Sequence, residues 1–246
     1  MDNKQYIDIH SHILWGLDDG AETREDMIAM MTQAYEDGAQ ALCLTPHYEP
    51  ENFEYDVETL RARFAEAQAY AQQNLQGLSL YLGNEQSFRN DGADCVRRGQ
   101  CLSLSDSRYV LVDFFGLSEY EQMKRGLETF LCSGYIPIVA HVERYSFMRG
   151  KHRAVADLAR EGVLFQVNSQ SLMQPERTSL SRKMAEKLLA RGLVDFVASD
   201  AHDKRVRTPK LSECRAYVAK RYGEDYAQML FYENPRTVLK NKSIQV

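Results

Sequence analysis

Five of the six histidines in this 246-residue chain follow short apolar, β-branched runs, and each has an acid or a second histidine as a companion. YIDIHSHI leads into His10 and His12, LCLTPH ends on His47, IPIVAH ends on His141, and DFVASDAH carries Asp200 and His202. Two more runs end on acids: LYLGNE on Glu85 and YVLVDF on Asp113. Imidazole is the commonest side-chain metal ligand, and carboxylates bridge hard divalent ions. One strand ending in histidine carries little information, since such a residue is usually exposed or merely hydrogen-bonded. Six strand-like runs with ligand-type residues at the same end read instead as a polynuclear metal centre. His152, inside the charged helical stretch KHRAVADLAR, has no such companion and reads as a surface residue.

The donors are nitrogen and oxygen, a set that suits Mn, Fe or Zn rather than Cu(I). A cluster of about two to three divalent ions activates water and clamps the oxygens of an in-line displacement, so phosphate-ester hydrolysis is within its reach. That reaction needs cations for the non-bridging oxygens. Arg144 lies three residues after His141 and Arg207 five after His202, and arginine matches phosphate bidentately. Other routes to phosphate chemistry lack their residues. None of the five cysteines has an arginine at the spacing of a thiol phosphatase loop, and there is no GxxxxGK[ST], GxGxxG or G-x-S-x-G motif.

Such a constellation needs a scaffold that brings strand ends together. Apolar strand candidates at 6–9, 41–45, 78–82, 109–114, 136–140, 163–167 and 194–198 alternate with helical patterns at 24–37, 57–73, 118–132, 152–160, 181–191 and 212–222. Met27, Met30, Met31, Ala34 and Tyr35 keep helical spacing before Gly38, and Thr23 and Ser118 are candidate N-caps. The polar stretch 88–107 has room for one extra short helix. Strand–helix alternation with continuous apolar strands predicts an α/β fold with a parallel sheet buried on both faces. Seven strands and six full helices suggest a closed, irregular barrel, and barrels carry their chemistry at the carboxyl ends of the strands. There His10, His12, His47, Glu85, Asp113, His141, Asp200 and His202 would rim one mouth. The length fits one domain over 1–246, with no linker, repeat or low-complexity segment.

Composition narrows the class. A net charge of −5 argues against a nucleic-acid partner. The five cysteines contain no CxxC pair and read as reduced thiols. No apolar run approaches the ~20 residues of a membrane span, and no signal-peptide core opens the chain. These features predict a cytoplasmic protein without direct membrane insertion, and they leave its oligomeric state open.

Taken together, the motifs resemble those of the polymerase and histidinol phosphatase (PHP) superfamily: YIDIHSHI the first, LTPH the second, VAHVERY the third and ASDAH the fourth. Within it, HSHILWGLDDGAETREDM, LSDSRYVLVDF, GYIPIVAHVERY, FQVNSQS, VASDAH and FYENPRTV resemble the capsule-operon tyrosine-protein phosphatases of the CpsB/CapC type, in order and over nearly the whole chain. The resemblance implies a distorted, TIM-like (β/α)7 barrel, several divalent ions (often Mn), and hydrolysis of phosphotyrosine; with metal-activated hydroxide as the expected nucleophile, no covalent phospho-enzyme is needed. Its usual substrate is the tyrosine-rich tail of a bacterial tyrosine kinase that controls capsular or extracellular polysaccharide synthesis. By resemblance, a first ion falls to His10, His12, Glu85 and Asp200. A second falls to Glu85, Asp113 and His141. A third falls to His47, His202 and an acid of the LDDG loop, Asp19 with Asp18 as the alternative. Arg144 and Arg207 would grip the phosphate. Asp113 stands where the family usually has glutamate. Tyr48 and the loop after His47 differ from the basic loop of some relatives; that loop is expected to border the mouth and, with Tyr48, to influence peptide choice. Two other readings use the same residues: a phosphatase for histidinol phosphate or a nucleotide, and a non-catalytic regulatory partner of the kinase.

Overall fold

The computed structural model describes residues 5–173 and 179–244. The order of elements is β1 (Tyr6–Asp8), α1 (Arg24–Asp37), β2 (Ala39–Leu44), β3 (His47–Tyr48), α2 (Val57–Asn74), β4 (Ser79–Leu82), β5 (Glu85–Ser87), α3 (Gly92–Arg97), β6 (Tyr109–Asp113), α4 (Tyr120–Cys132), β7 (Ile136–Val139), α5 (His152–Arg160), β8 (Leu164–Asn168), α6 (Ser169–Met173), α7 (Leu180–Leu189), β9 (Phe196–Ala198), α8 (Ser212–Tyr222), α9 (Glu224–Gln228) and α10 (Asn234–Leu239). All strand pairs are parallel, in the orders β1-β2-β4 and β3-β5-β6-β7-β8-β9.

The two sheets are one barrel. β3 continues β2 past Thr45–Pro46, and β5 continues β4 past Gly83–Asn84. Backbone bonds from Gly83 to Leu44 (3.0 Å) and from Glu85 to Pro46 (3.2 Å) carry the pairing across both breaks. A parallel bridge between Ser11 and Ala201 joins the end of β1 to the end of β9 and closes the ring. All seven expected strands are present within a few residues of their sequence positions. The two continuations, β3 and β5, were not legible, because two- and three-residue strands have no period to read.

Alternation along the strands separates two cores. Ile7, Cys43, Leu111, Ile138, Leu164 and Phe196 belong to the cluster inside the barrel, closed at the bottom by Leu104 and by Val238 and Leu239 of α10. Leu42, Val110, Val112, Val139, Phe165 and Val197, with the opposite parity, pack outward against the helices. Extending the inward parity toward the carboxyl ends is informative. Tyr109 and Leu111 lead to Asp113, Leu164 to Gln166 and Asn168, and Phe196 and Ala198 to Asp200. The interior stripe thus changes from apolar to polar and acidic at the mouth.

Local chemistry sets the helix ends. Thr23 caps α1 in a capping box with Asp26, and Gly38 ends it at φ 107°, so losing the cap would cost about 1 kcal/mol of stability. α1, α5 and α8 span the expected residues, and α3 falls within the stretch expected to hold a short helix. Ser118 is not an N-cap. α4 begins at Tyr120, its N-cap is Glu119, and no side chain bonds its first turn. The amphipathic spacing did not register this two-residue difference, because Ser118 and Glu119 are both polar. α6, α9 and α10 went unread, being short pieces without a full turn pattern. His152 is half-buried at the start of α5, outside every ligand cluster found among the described residues.

Candidate metal centre

The carboxyl ends of the strands bring nine predicted residues into three overlapping groups: His10, His12, Glu85 and Asp200; Glu85, Asp113 and His141; and His12, Asp19, His47 and His202. Within each group the ligand atoms lie within 4.8 Å of one another. Glu85 is the hub. Its Oε2 is 3.2 Å from the Nε2 atoms of both His10 and His12 and 3.0 Å from His47 Nδ1, and its Oε1 is 2.8 Å from His141 Nε2. Asp200 Oδ1 approaches the same nitrogens of His10 and His12 at 3.4 Å. Asp19 Oδ1 lies 3.3 Å from His202 Nε2 and 3.5 Å from His47 Nε2. Asp113 is more remote, at 3.9 Å from His141 Nε2.

The ring orientations are set from behind. His141 donates its backbone N–H to Gln166 Oε1 at 2.8 Å, which identifies that atom as the oxygen and makes it the acceptor for His10 Nδ1 at 3.2 Å. Gln166 Nε2 then donates to Asn168 Oδ1 (2.8 Å), and Asn168 Nδ2 donates to Asp200 Oδ2 (2.6 Å). Asp18 accepts from His12 Nδ1 at 2.6 Å and from the His47 backbone N–H at 2.9 Å. His202 Nδ1 faces its own loop's carbonyl, Asp200 O, at 2.9 Å. Tyr145 Oη lies 2.9 Å from Asp113 Oδ1. Carboxylate or carbonyl acceptors behind imidazoles fix the tautomer and raise ligand basicity. Asp18, Gln166, Asn168 and Tyr145 were not singled out for these roles. A sequence signal did exist for two of them, since Gln166 and Asn168 are polar residues at the inward positions of an apolar strand.

The backbone also holds these residues in place. Asp8, fully buried, accepts from the N–H groups of His10 (3.2 Å) and Ser199 (3.1 Å), tying the HSH turn to the strand before Asp200. Burial drives the Asp8 carboxyl pKa up to about 6. His141 and Asp200 sit at φ 30° and φ 51°, left-handed conformations that cost roughly 1–3 kcal/mol each at a non-glycine residue. Gly20 has no alternative, because a Cβ there would lie 2.1 Å from the His12 carbonyl oxygen and 2.5 Å from His12 Cβ.

The donor set fits divalent cations. With Nδ1 of His10 and His12 turned to Gln166 and Asp18, the two Nε2 atoms face each other at 3.2 Å, an approach that a proton or a metal ion between them relieves. Glu85 Oε2 is buried with no hydrogen-bond donor. Lone pairs and an unpaired carboxylate oxygen converging on one point repel unless a cation stands between them. Burial disfavours charge on His12, His141, Glu85 and Asp200, yet their partners prevail, whereas burial and then His12 hold His202 below the ordinary histidine range. Asp18 and then Asp200 and Glu85 raise His12 well above the ordinary histidine range, while Asp113 and Glu85 push His141 up to about 9. The surrounding histidines hold Glu85 and Asp200 well below the carboxylate range against the same burial.

Asp19, Glu85, Asp113, His47, His141, Asp200 and His202 line one cavity of about 220 Å3, together with Arg144 and Arg207. Both guanidinium groups turn to Asp200 Oδ2, Arg207 at 2.6 Å and Arg144 at 3.4 Å, and both side chains keep partial solvent access. The Asp203 carboxylate accepts the N–H groups of Arg205, Val206 and Arg207, which fixes the loop carrying Arg207. Tyr48 does not line this cavity. Burial raises its pKa to about 12, and the expectation that the loop after His47 borders the mouth is met by Glu49 and Phe53 rather than by Tyr48 itself. Phe53 and Phe115 line the cavity instead. The five cysteines are free thiols, and none lines the cavity.

A family model described as capsular polysaccharide synthesis, CpsB/CapC, matches residues 6–240. The chain belongs to the CpsB/CapC family. Among curated members, the tyrosine-protein phosphatase CpsB of Streptococcus pneumoniae is 32% identical over 242 residues, covering 97% of this chain and 100% of that protein. A solved structure described under YwqE from Bacillus subtilis and CpsB from Streptococcus pneumoniae, as unique metal-dependent tyrosine phosphatases, superposes with a TM-score of 0.88 at 27% identity, covering 97% of this chain and 96% of the other. A histidinol phosphate phosphatase from Lactococcus lactis, solved with zinc, histidinol and phosphate, has the same fold at a TM-score of 0.56 and 15% identity, covering 90% of this chain and 94% of its own. CpsB/CapC membership agrees with the barrel and with the convergence of histidines and acids at its mouth. Among the described residues of this member, no helix is long and apolar enough to cross a membrane.

Proposed function

We propose that this protein is a metal-dependent protein-tyrosine phosphatase in which residues 1–246 work as one catalytic domain. The observation that carries the reading is the convergence of three overlapping N/O ligand groups, two of them sharing Glu85, at the cavity that also receives Arg144 and Arg207. Phosphotyrosine as the substrate rests on the similarity to the CpsB phosphatases. His10, His12, Glu85 and Asp200 would hold one divalent ion, and Glu85, Asp113 and His141 a second. His47, His202 and Asp19 would hold a third, with His12 in reach. Mn is the metal we assign, with Fe and Zn as the other ions such donors accept. When bound, such ions lower the pKa of water and neutralise the charge of a phosphate ester.

The chain's own residues supply the rest. Arg144 and Arg207 would leave Asp200 for the non-bridging oxygens of the ester and stabilise the charge that develops there. Gln166, Asn168 and Asp18 keep the imidazoles and Asp200 aimed while that happens. Water oxygen joins phosphorus as the bond to the tyrosine oxygen breaks, giving orthophosphate and the free phenol. The natural substrate would be the tyrosine-rich tail of a bacterial tyrosine kinase, met in the cytoplasm, within a polysaccharide-synthesis system.

Substrate comparison tests this reading against the histidinol phosphate alternative, which uses the same ions. Metal-loaded protein should hydrolyse a phosphotyrosine peptide with a kcat/KM on the order of 100-fold above that for histidinol phosphate, a ratio that pocket contacts can supply. Faster turnover of histidinol phosphate would overturn the substrate assignment and keep the chemistry. Absence of turnover on either would favour a non-catalytic partner.

A further inference from the structure

The cavity at the barrel mouth has a charged floor and two aromatic rings, and the rings have no part in holding ions or phosphate. Phe115 is 74% exposed, the most exposed large apolar side chain among the described residues. A lone exposed aromatic is ordinary on a protein surface. Phe115 is different because it faces the site. Its ring centroid lies 5.9 Å from the Arg144 guanidinium carbon, and its backbone N–H donates to Asp113 Oδ1 at 2.7 Å. The carboxylate of the ligand cluster thus fixes where the ring begins. Its neighbour Phe114 is fully buried, stacked on Phe88 at 5.1 Å and edge-on to Tyr145 at 6.5 Å, which anchors the turn that sends Phe115 outward. Phe53, the second ring, stacks on His47 with 5.7 Å between centroids and 6° between planes. The strand order β3-β5-β6 places the loops bearing Phe53 and Phe115 on either side of the end of β5, where Ser87 lines the cavity between them.

We propose that Phe115, with Phe53 as the facing wall, holds the phenyl ring of the ester's leaving group while the arginines hold its phosphate, and so sets the preference for aryl over alkyl phosphates. This rests on the tyrosine-phosphatase reading. Apart from the two phenylalanines, the cavity is lined by charged and polar side chains, so an alkyl ester finds little apolar surface there. A phenyl ring gains offset or edge-on contacts with both walls, and it extends the pairing of Arg144 with Phe115.

The test compares Phe115→Ala and Phe115→Tyr with the wild-type holoenzyme on one peptide carrying either phosphotyrosine or phosphoserine. Inhibition by phenylphosphonate and by inorganic phosphate is measured alongside. Phe115→Ala should lower the phosphotyrosine-to-phosphoserine ratio of kcat/KM about tenfold, and raise the Ki ratio of phenylphosphonate to phosphate by a similar factor. Phe115→Tyr should keep both ratios. Unchanged ratios in a Phe115→Ala protein with wild-type metal content and Tm would overturn the role of the ring and leave the phosphatase reading standing. A wild-type holoenzyme that hydrolyses neither peptide would overturn that reading and this inference with it.

Discussion

Glu85→Gln is expected to lower phosphotyrosine kcat/KM on the order of 1000-fold or more, because on the proposed reading several kcal/mol of charge stabilisation in the transition state depends on ions that this carboxylate would help to hold. The substitution keeps the shape of the side chain and removes its charge. Glu85 is fully buried and belongs to two of the three ligand groups, with one oxygen facing His10, His12 and His47 and the other facing His141. An amide there would place N–H groups or a neutral oxygen among imidazole lone pairs. Metal content should fall with activity, and elemental analysis of the purified variant checks this directly. A variant with full metal content and wild-type rate would mean that Glu85 is a structural acid and that the cluster is not built around it.

Arg144→Ala and Arg207→Ala are expected to lower kcat/KM by roughly 30- to 1000-fold each, the range for losing a charged contact to a transferring phosphoryl group, or about 2–4 kcal/mol. Metal content should stay near wild type, because neither arginine is a ligand. Both groups contact Asp200 Oδ2, which Asn168 also holds at 2.6 Å, so Asp200 keeps a partner when either is removed. Arg→Lys should rescue only in part, since an ammonium cannot form the planar two-point contact. The losses should be similar for every phosphate monoester, in contrast to the leaving-group effect of Phe115. Wild-type rates in both alanine variants would contradict the phosphate-gripping role.

The difference between legible and hidden features has a physical basis. The five histidines stand out because each follows a short apolar run of strand length, and a parallel barrel gathers strand ends at one mouth. α1, α5 and α8 were readable in full because their apolar spacing is regular and their ends carry polar or glycine signals. β5 was hidden because Glu-Gln-Ser has no β-strand character of its own. It pairs because β3 and β6 hold it in register, Glu85 opposite both His47 and Leu111. Nothing in the sequence separates Asp18 from Asp19, as both follow Leu17 in the same loop. Burial separates them: Asp18 is committed to His12 and the His47 backbone, while Asp19 remains half-open toward His202. Phe115 and Tyr48 show the same limit. Which of two aromatic residues beside a ligand faces the mouth depends on loop conformation, and no periodicity in the sequence encodes that.

The central claim is that the divalent ions of this cluster are required for phosphotyrosine hydrolysis. Its most direct test is exhaustive chelation of the purified protein, elemental analysis, and titration of Mn back against phosphotyrosine-peptide turnover. The account predicts about two to three ions per chain in the active protein, loss of turnover on their removal, and recovery that tracks the ions restored. Full activity in protein shown by elemental analysis to be metal-free would contradict it.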